Sequence, residues 1–394
     1  MNNRKNIVII EFDYHAEVLI NSLLIFQTLP YNIILFTKSS IWNELNSVRK
    51  WGEITVFEAP NKRAVRKLIS NNIETINDSN LILFNTIASN FKFFSSIQFN
   101  PPVVLRIHNA NTFFNPIKSI NPKFSTFYIW KDLSYLIIHG LFKREMFYRA
   151  KFSRNNVDYF LLPSQKMKDY VLNKNYVKPE KLLPATPYVF LKGSGSNEGS
   201  KSEVNIVIIG NIDKRRRDYL EVLSAFKSIT SQLNTKTTIT LLGRPFGQYG
   251  RTMVNAFTKL QTKFFAVNSF DAFVPQILFE ETIKKTDFLI VPTVKESRYK
   301  LYKELYGYTK ISGGINDMVV YRKPALIPSF YPIDKCLIPH VARYSSENEL
   351  SLLLLSWIEN RKFKDHTMSS EIKEFCFEYI AKKTNRIFKD IMDT

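Results

Sequence analysis

The chain has 394 residues, of which 45% are hydrophobic and 14% aromatic, and this apolar content excludes an intrinsically disordered protein. Two cysteines are too few for a disulfide framework or a cysteine-rich zinc site, and they indicate a reducing, cytoplasmic environment. The net charge of +20 indicates an anionic partner, which can be a nucleic acid, an anionic membrane face or a phosphorylated small molecule. No apolar run approaches a secretory signal or the ~20 residues of a membrane-spanning helix, so we expect a soluble protein or one attached to a membrane surface.

The first half of the chain alternates apolar runs with helical patterns. A buried strand at Ile7–Ile10 precedes an apolar-periodic helix over Ala16–Gln27. Further strands are predicted at Asn32–Phe36, Thr55–Phe57, Leu81–Phe84, Val103–Ile107 and Val157–Leu162. Continuous apolar strands separated by helices are typical of a parallel sheet that is covered on both faces. We therefore predict a Rossmann-like domain over residues 1–190.

Residues 191–203 are rich in Gly and Ser and predict a flexible linker. The alternation of strand and helix then restarts, with strands predicted at Val204–Ile209, Thr238–Leu242, Phe288–Val291 and Ala325–Ile327. This pattern predicts a second Rossmann-like domain over 204–371, followed by an amphipathic helix over 372–394 that packs back toward the first domain. The predicted fold class is α/β, with both domains facing a central cleft, because ligands of open α/β sheets bind outside the carboxyl ends of the strands.

The strongest motif is the glycine-rich stretch Tyr306–Asp317, which runs from a loop into a helix. Free backbone N–H groups and the helix dipole make such a junction an anion site. Asp317 lies about one turn into the helix, where it can accept hydrogen bonds from sugar hydroxyls. The residues that we expect at the anion are Lys310, Ser312, Gly313 and Gly314. The alternative interpretation is a structural turn that caps the helix.

A second motif follows Gly210, at the carboxyl end of the strand that opens the second domain. Its four consecutive basic residues are Lys214, Arg215, Arg216 and Arg217. Fixed cations stabilise the negative charge that develops on a diphosphate leaving group, so the run is a candidate phosphate site. Arg244 ends the next strand and is a further candidate for the same task. The alternative is a solvated start of a helix, as most charged runs are.

Polar residues also follow strands of the first domain. Asp13 and His15 come after the first strand, and His108 and Asn109 come after the strand that ends at Ile107. Histidine at the carboxyl end of a strand can act as a general base or polarise a substrate hydroxyl. A structural histidine at either position is an equally good interpretation.

A fourth segment, Lys131–Arg154, joins an apolar stretch at Leu136–Phe142 to a flank of basic and aromatic residues. Such a flank suits an anionic membrane interface, and the same composition can bind RNA by stacking and phosphate contact. For the apolar residues, an ordinary helix with its apolar face in the core is the simpler explanation. For the basic flank we favour the membrane surface.

In these motifs the chain resembles a GT-B glycosyltransferase, most closely the family-4-like enzymes that use nucleotide-diphosphate sugars. In that family a Gly followed by basic residues ends the first strand of the C-terminal domain, and Gly210 with its basic run is similar, although Asn211 stands where the family has Arg. The family also has a Glu-x7-Glu motif. Counted back from Pro324, its second Glu corresponds to Asp317 and its first to Thr309, so the acidic pair is half retained.

The same resemblance assigns further roles. It implies that His108 lies beside the transferred sugar and that the stretch ending at Val274 contacts the nucleotide base through its backbone. It also implies a hexosyltransferase of retaining stereochemistry. Because cations and a helix terminus can take the place of a metal at the diphosphate, we expect no metal or other cofactor, and we expect the enzyme to be cytoplasmic. The donor would be a nucleotide-diphosphate sugar and the acceptor a glycan or lipid-linked glycan in surface polysaccharide assembly, with peripheral contact to the inner, anionic face of the membrane and no nucleic-acid partner. The alternatives are a nucleic-acid-binding protein, a polyol-phosphate transferase and a catalytically silent relative.

Overall fold

The computed structural model describes residues 4–13, 15–121, 126–192, 202–299, 301–368 and 372–393. Most of the predicted linker, residues 193–201, lies outside the described residues. The chain divides into two compact units. The first unit comprises Met1–Val189, Arg298–Glu304 and Phe377–Thr394, and the second comprises Phe190–Ser297 and Leu305–Cys376.

The first unit contains a parallel six-stranded sheet in the order β3-β2-β1-β4-β5-β6. Its strands are β1 (Lys5–Glu11), β2 (Tyr31–Lys38), β3 (Ile54–Ala59), β4 (Leu81–Thr86), β5 (Val103–Arg106) and β6 (Tyr159–Leu161). In the register of β1, Ile7 lies opposite Ile33 on one side and Leu81 on the other. Consecutive side chains Ile7, Val8 and Ile9 are all fully buried, which a strand reaches only when both faces of its sheet are covered.

Helices connect these strands. They are α1 (Ala16–Phe26), α2 (Ser39–Val48), α3 (Val65–Asn71), α4 (Ile73–Asn77), α5 (Phe91–Phe94), α6 (Ala110–Phe114), α7 (Thr126–Tyr135), α8 (Glu145–Asn155) and α9 (Gln165–Asn173). Between α7 and α8 the chain forms a π-helix at Leu136–Phe142, which is the apolar stretch noted in the sequence. Because all six strands run parallel, the loops that leave their carboxyl ends share one edge of the sheet, and this edge carries the candidate residues of the first unit.

The second half of the chain forms a second parallel six-stranded sheet, in the order β14-β13-β10-β7-β8-β9, and a two-stranded β11–β12 sheet. The strands are β7 (Glu203–Ile209), β8 (Lys236–Leu242), β9 (Phe265–Ser269), β10 (Phe288–Ile290), β11 (Glu296–Tyr299), β12 (Tyr302–Leu305), β13 (Ala325–Pro328) and β14 (Val341–Tyr344). The helices are α10 (Tyr219–Ile229), α11 (Gly247–Thr258), α12 (Gln276–Lys284), α13 (Gly313–Val320), α14 (Glu347–Glu359) and α15 (Phe377–Met392). Each unit therefore carries a parallel α/β sheet, as the sequence predicts.

Two segments from the second half of the chain belong to the first unit. In α15, Ile387, Phe388 and Ile391 are buried in the first unit's core, and the Phe388 ring stacks on Phe26 at 5.4 Å between centroids. The other segment, Arg298–Glu304, lies within the stretch 204–371 that the sequence assigned to the second domain.

Glu304 shows why the segment 298–304 is held in the first unit. Its side chain is fully buried, and its carboxylate accepts hydrogen bonds from the Thr112 amide at 2.7 Å, the Thr112 hydroxyl and the Asn111 amide. Arg298 forms an ion pair with Asp132 of α7. A carboxylate this deeply buried is stable only with such donors. Loss of these contacts would leave a buried negative charge without compensation.

Candidate active site

The turn after β7 brings two backbone segments into close contact. Gly210 has φ +91°, a conformation that side-chain-bearing residues rarely adopt. A Cβ at Gly243 would lie 2.4 Å from the Gly210 carbonyl carbon, so this position, which follows β8, also needs glycine. The guanidinium of Arg217 lies over the same turn. Its Nη2 atom is only 2.2 Å from the position that a Cβ at Gly210 would occupy. Arg217 Nη1 donates to the Asn211 carbonyl at 3.1 Å, and the other guanidinium N–H groups have no hydrogen-bond partner in the described part of the chain.

The structure separates the four consecutive basic residues into different environments. Arg215 forms a bidentate ion pair with Asp213, with N–O distances of 2.7 to 3.1 Å, and its guanidinium lies 4.7 Å from the Phe246 ring centroid. Burial alone would raise the pKa of Asp213, but hydrogen bonds from Arg215 and its charge outweigh that effect and hold the pKa below its usual value. Lys214, Arg215 and Arg216 are all exposed to solvent, as is Arg244 after β8, so Arg215 differs from its neighbours by its ion pair. Arg215 is therefore already neutralised within the protein.

The glycine-rich loop ends at the first turn of α13. Ser312 is the N-cap residue and is buried, and its amide donates to the Tyr331 hydroxyl at 3.3 Å. Gly313 is exposed, and a Cβ there would meet no atom within 4 Å, whereas a Cβ at Gly314 would lie 2.8 Å from Val291 Cγ1. Lys310 holds its Nζ 5.3 Å from the Tyr306 ring centroid. The space in front of Gly313 therefore adjoins the amide end of α13, where an anion is favoured.

Residues 291–293, which follow β10, contact both the start of α13, where the glycine-rich loop ends, and the basic residues 214–217. Gly314 packs on Val291, the Asp218 amide donates to the Pro292 carbonyl at 2.7 Å, and Thr293 forms an isolated antiparallel bridge with Arg217. Strands β7 and β10 are neighbours in the sheet, so their carboxyl ends bring together two motifs that are about a hundred residues apart in the sequence. Val274 is buried in the loop before α12, and nothing in the described contacts links it to this junction.

The two positions that correspond to the acidic pair have different surroundings. Asp317 is half-buried within α13, and burial together with the carboxylates of Glu280 and Asp317 raises the pKa of Tyr321. Thr309 is fully buried, and its hydroxyl accepts from the Leu305 amide at 2.7 Å. Thr309 therefore stabilises the glycine-rich loop through its hydrogen bond to Leu305. Asp317 remains an acidic group near the surface.

In the first unit, His15 and His108 stack with ring centroids 4.1 Å apart and planes 13° from parallel. The Nε2 atom of His108 lies 2.9 Å from the Asn85 carbonyl, which can only accept, so Nε2 carries the proton and Nδ1 is the unprotonated nitrogen. Burial, followed by the charges of His15 and Arg106, holds the pKa of His108 well below its usual value, although the bond to Asn85 raises it. The ring is therefore a neutral base at neutral pH.

The other two predicted residues of this unit lie beside the histidines. The Asp13 carboxylate accepts from the Ala88 amide and the Ser89 hydroxyl, both at 2.8 Å, and so ties the loop after β1 to the loop after β4. Asn109 is the N-cap residue of α6, and its Oδ1 is buried without a hydrogen-bond partner among the residues that the structure describes. Asp13 thus has a structural role, and Asn109 retains an unsatisfied acceptor.

A buried polar network that the motif analysis missed lies at the ends of β1, β4 and β5. The fully buried Glu11 accepts from the Asn85 side-chain amide at 2.6 Å, and Asn85 Oδ1 accepts from Arg106. Arg106 Nη1 also donates to the Ser22 hydroxyl at 2.8 Å, and burial lowers the pKa of Arg106 to about 10. The Asn85 backbone is the partner of His108. The sequence signal for this network was a charged residue, Arg106, inside an otherwise apolar strand.

The stability of the protein should depend on pH through Glu11, because burial raises its pKa from 4.5 to about 7. Folding takes up a proton at Glu11 between these two values, so its contribution to the free energy of unfolding is complete below pH 4.5 and is lost as the pH rises through 7. Relative to Glu11→Gln, the wild-type protein should lose about 3 kcal/mol of stability between pH 4.5 and 8. Denaturant unfolding of both proteins across this range measures the difference, and parallel curves would contradict it.

None of the helices described is long and apolar enough to cross a membrane. No group of three or more His, Cys, Asp or Glu side chains in the described ranges is arranged to hold a metal ion.

No protein-family model and no curated protein matches this sequence. Solved structures do resemble the chain along its whole length. HepE from Anabaena, in complex with UDP-glucose, has a TM-score of 0.58 and 12% identity, and the match covers 98% of this chain and 99% of HepE. The lipopolysaccharide outer core galactosyltransferase WaaB has a TM-score of 0.55 and 10% identity, with 98% and 99% of the two chains covered. The pneumococcal O-GlcNAc transferase GtfA, in complex with UDP and GlcNAc, has a TM-score of 0.57 and 9% identity and matches over the full length of both chains.

These similarities confirm the predicted fold class: the chain has the α/β fold of GT-B glycosyltransferases, with a Rossmann-like sheet in each unit. The resemblance noted in the sequence is confirmed at the level of the fold. Membership of family 4 and the roles of individual residues stay predictions.

Proposed function

We propose that this protein is a glycosyltransferase that moves a hexose from a nucleotide-diphosphate sugar to a glycan or lipid-linked acceptor, with retention of configuration, in surface polysaccharide assembly. The observation that carries the proposal is the segment 291–293, which contacts Arg217 through Thr293 and the start of α13 through Val291. HepE and GtfA, whose folds are similar, were solved with UDP-glucose and with UDP and GlcNAc. A guanidinium held over the turn at Gly210 and the amide end of α13 are both groups that bind phosphate.

In this mechanism the second unit binds the donor. Arg217 donates to the diphosphate from the turn at Gly210, the Gly313 amide adds the favourable end of the α13 dipole, and Lys310 supplies a mobile cation. These groups stabilise the charge that develops on the departing nucleoside diphosphate, and no metal is required for that task. We assign to Asp317, which is half-buried in α13, the role of accepting hydrogen bonds from hydroxyl groups of the sugar.

The first unit supplies His108. Its Nδ1 is unprotonated and can accept a proton or a hydrogen bond from a sugar hydroxyl, while the Asn85 carbonyl holds the tautomer and the orientation of the ring. The buried Glu11–Asn85–Arg106 network fixes Asn85 in turn. A ring that is held in this way and stays neutral at pH 7 suits acceptance of a hydrogen bond from a sugar hydroxyl.

We also propose that the protein works at the inner, anionic face of the membrane. Large apolar side chains in and after α7 are exposed to solvent, with Trp130 at 74% and Phe142 at 80% relative exposure. They form an apolar patch of Trp130, Leu133, Ile137, Ile138, Phe142 and Phe147, flanked by the exposed cations Lys143 and Arg144. This combination suits an interface with anionic lipid. The protein should co-sediment with anionic vesicles but not with neutral vesicles, and high salt should reduce the amount that sediments. Equal amounts of protein sedimenting with both kinds of vesicle would contradict the membrane proposal.

A binding experiment tests the proposed function. Addition of UDP-sugars and GDP-sugars should raise the thermal unfolding midpoint, because a ligand that binds only the native state stabilises it, whereas single-stranded oligonucleotides should not. Gly313→Ala should leave the midpoint of the free protein unchanged, since its Cβ meets nothing, but should weaken nucleotide binding by about tenfold by filling the space before the α13 amides. Gly314→Ala is the contrast, because its Cβ collides with Val291 and lowers stability itself. Unaltered binding in Gly313→Ala would exclude this site.

A further inference from the structure

Four cations lie together at the start of α3, in the first unit. This α3 basic cluster consists of Lys62, Arg63, Arg66 and Lys67. All four side chains are exposed, and none forms an ion pair with a carboxylate in the described ranges of the chain. The turn that carries them is ordered, because the Asn61 side chain accepts hydrogen bonds from the Arg63 and Ala64 amides at 2.9 and 3.2 Å.

One loop connects the α3 basic cluster to the paired histidines. Arg66 Nε donates at 3.3 Å to Asn90, which adopts a left-handed conformation with φ +60° in the loop after β4. The preceding residue, Ser89, donates to Asp13, which lies two positions before His15 in the loop after β1. Both loops leave carboxyl ends of neighbouring strands, and the cluster follows the carboxyl end of β3. The cluster, the connecting loop and the histidines therefore occupy the same edge of the first sheet.

The charges of the cluster have a consequence for binding. Four like charges within six residues repel one another, and none of them is paired with a carboxylate among the residues that the structure describes. A ligand with negative groups relieves that repulsion and gains charge-assisted hydrogen bonds from the two guanidinium groups, which match phosphate and carboxylate geometry. A neutral glycan would gain neither contribution.

We propose that the α3 basic cluster, with Asn90, binds negatively charged groups, phosphodiester or carboxylate, that are carried by the acceptor glycan. This inference rests on the proposed function, because it takes the molecule that binds at the sheet edge near His15 and His108 to be the sugar acceptor. It defines the acceptor class as an anionic glycan, and it assigns the specificity for that class to α3. The apolar patch near α7 is a different surface and is not part of this site.

The test measures binding of a glycerol phosphodiester oligomer and of a neutral dextran of matched length. The variant Arg63→Gln/Arg66→Gln removes two cations of the cluster, and Lys382→Gln/Arg386→Gln removes two exposed cations from α15 of the same unit as a matched control. We expect the cluster variant to bind the oligomer about tenfold more weakly and with a flatter salt dependence, and the control to bind as the wild type does. Equal losses in both variants, or equal binding of dextran by the wild type, would overturn the proposal.

Two further measurements separate the alternatives. Anionic vesicles test for a lipid headgroup as the source of the negative charge, and a cluster variant that loses vesicle binding but keeps oligomer binding would overturn the glycan assignment. UDP binding monitors the proposed function independently, and the cluster variant should retain it. If UDP fails to bind the wild-type protein while the oligomer still binds through α3, the proposed function fails and the anion site stands.

Discussion

Replacing His108 with glutamine should lower the turnover of sugar transfer by about 10²–10⁴-fold, the usual contribution of a positioned acid–base group. Glutamine can still donate to the Asn85 carbonyl, so the local structure and the thermal unfolding midpoint should change little. It has no basic nitrogen to replace Nδ1. The expected loss is therefore in kcat, with the KM of the donor nearly unchanged, and initial rates at varied donor concentration separate the two.

His15→Gln is the control for this prediction. It removes the ring that stacks on His108 and one of the charges that lower the pKa of His108, but it leaves the base itself. Its effect on turnover should be less than about tenfold, since stacking contributes on the order of 1 kcal/mol. Because the pKa of His108 lies well below 6.5, its protonation should not produce an acid limb at or above that pH. A His108→Gln enzyme of near wild-type activity would remove His108 from the mechanism.

Replacing Arg217 with alanine should weaken UDP binding by about 10- to 100-fold, the range for losing one hydrogen bond to a charged group. Arg217 is the member of the basic run whose guanidinium lies over the turn at Gly210, and it has N–H groups left to donate. Titration calorimetry at constant salt measures the affinity. Thermal unfolding without ligand reports any loss of fold.

Arg215→Ala is the matched control, since it also removes one positive charge from the same loop. Arg215 is occupied by Asp213 and Phe246, so its removal should lower local stability and change UDP affinity less than about threefold. If the two variants weaken binding equally, the run acts through its summed charge and the position of Arg217 has no special role.

Much of the fold follows from local sequence patterns. Runs such as Ile7–Ile10 and Ile206–Ile209 are apolar at every position, which is typical of strands buried on both faces, and β1 and β7 contain these runs. Glycine-rich and charged stretches that directly follow such strands had to lie at a carboxyl edge. For this reason the edge positions of Gly210 and His108, which directly follow such strands, could be predicted from the sequence.

The roles within each motif could not be read from the sequence. Lys214 to Arg217 look alike as a run, but Arg215 is neutralised by Asp213 while Arg217 lies over Gly210. The partners of Glu11 and Arg106 are equally hidden, because Asn85 is 74 residues from one and 21 from the other.

The sequence by itself determined the alternation of strands and helices, the two parallel sheets and the edge at which polar loops collect, because these depend on the spacing of apolar residues along a few turns of chain. Only the tertiary structure decided which charges are paired, which histidine nitrogen is free of its proton, and that residues 298–304 join the first unit. Hydrogen bonds and ion pairs need atoms within a few ångströms, and folding brings those atoms together from distant parts of the chain.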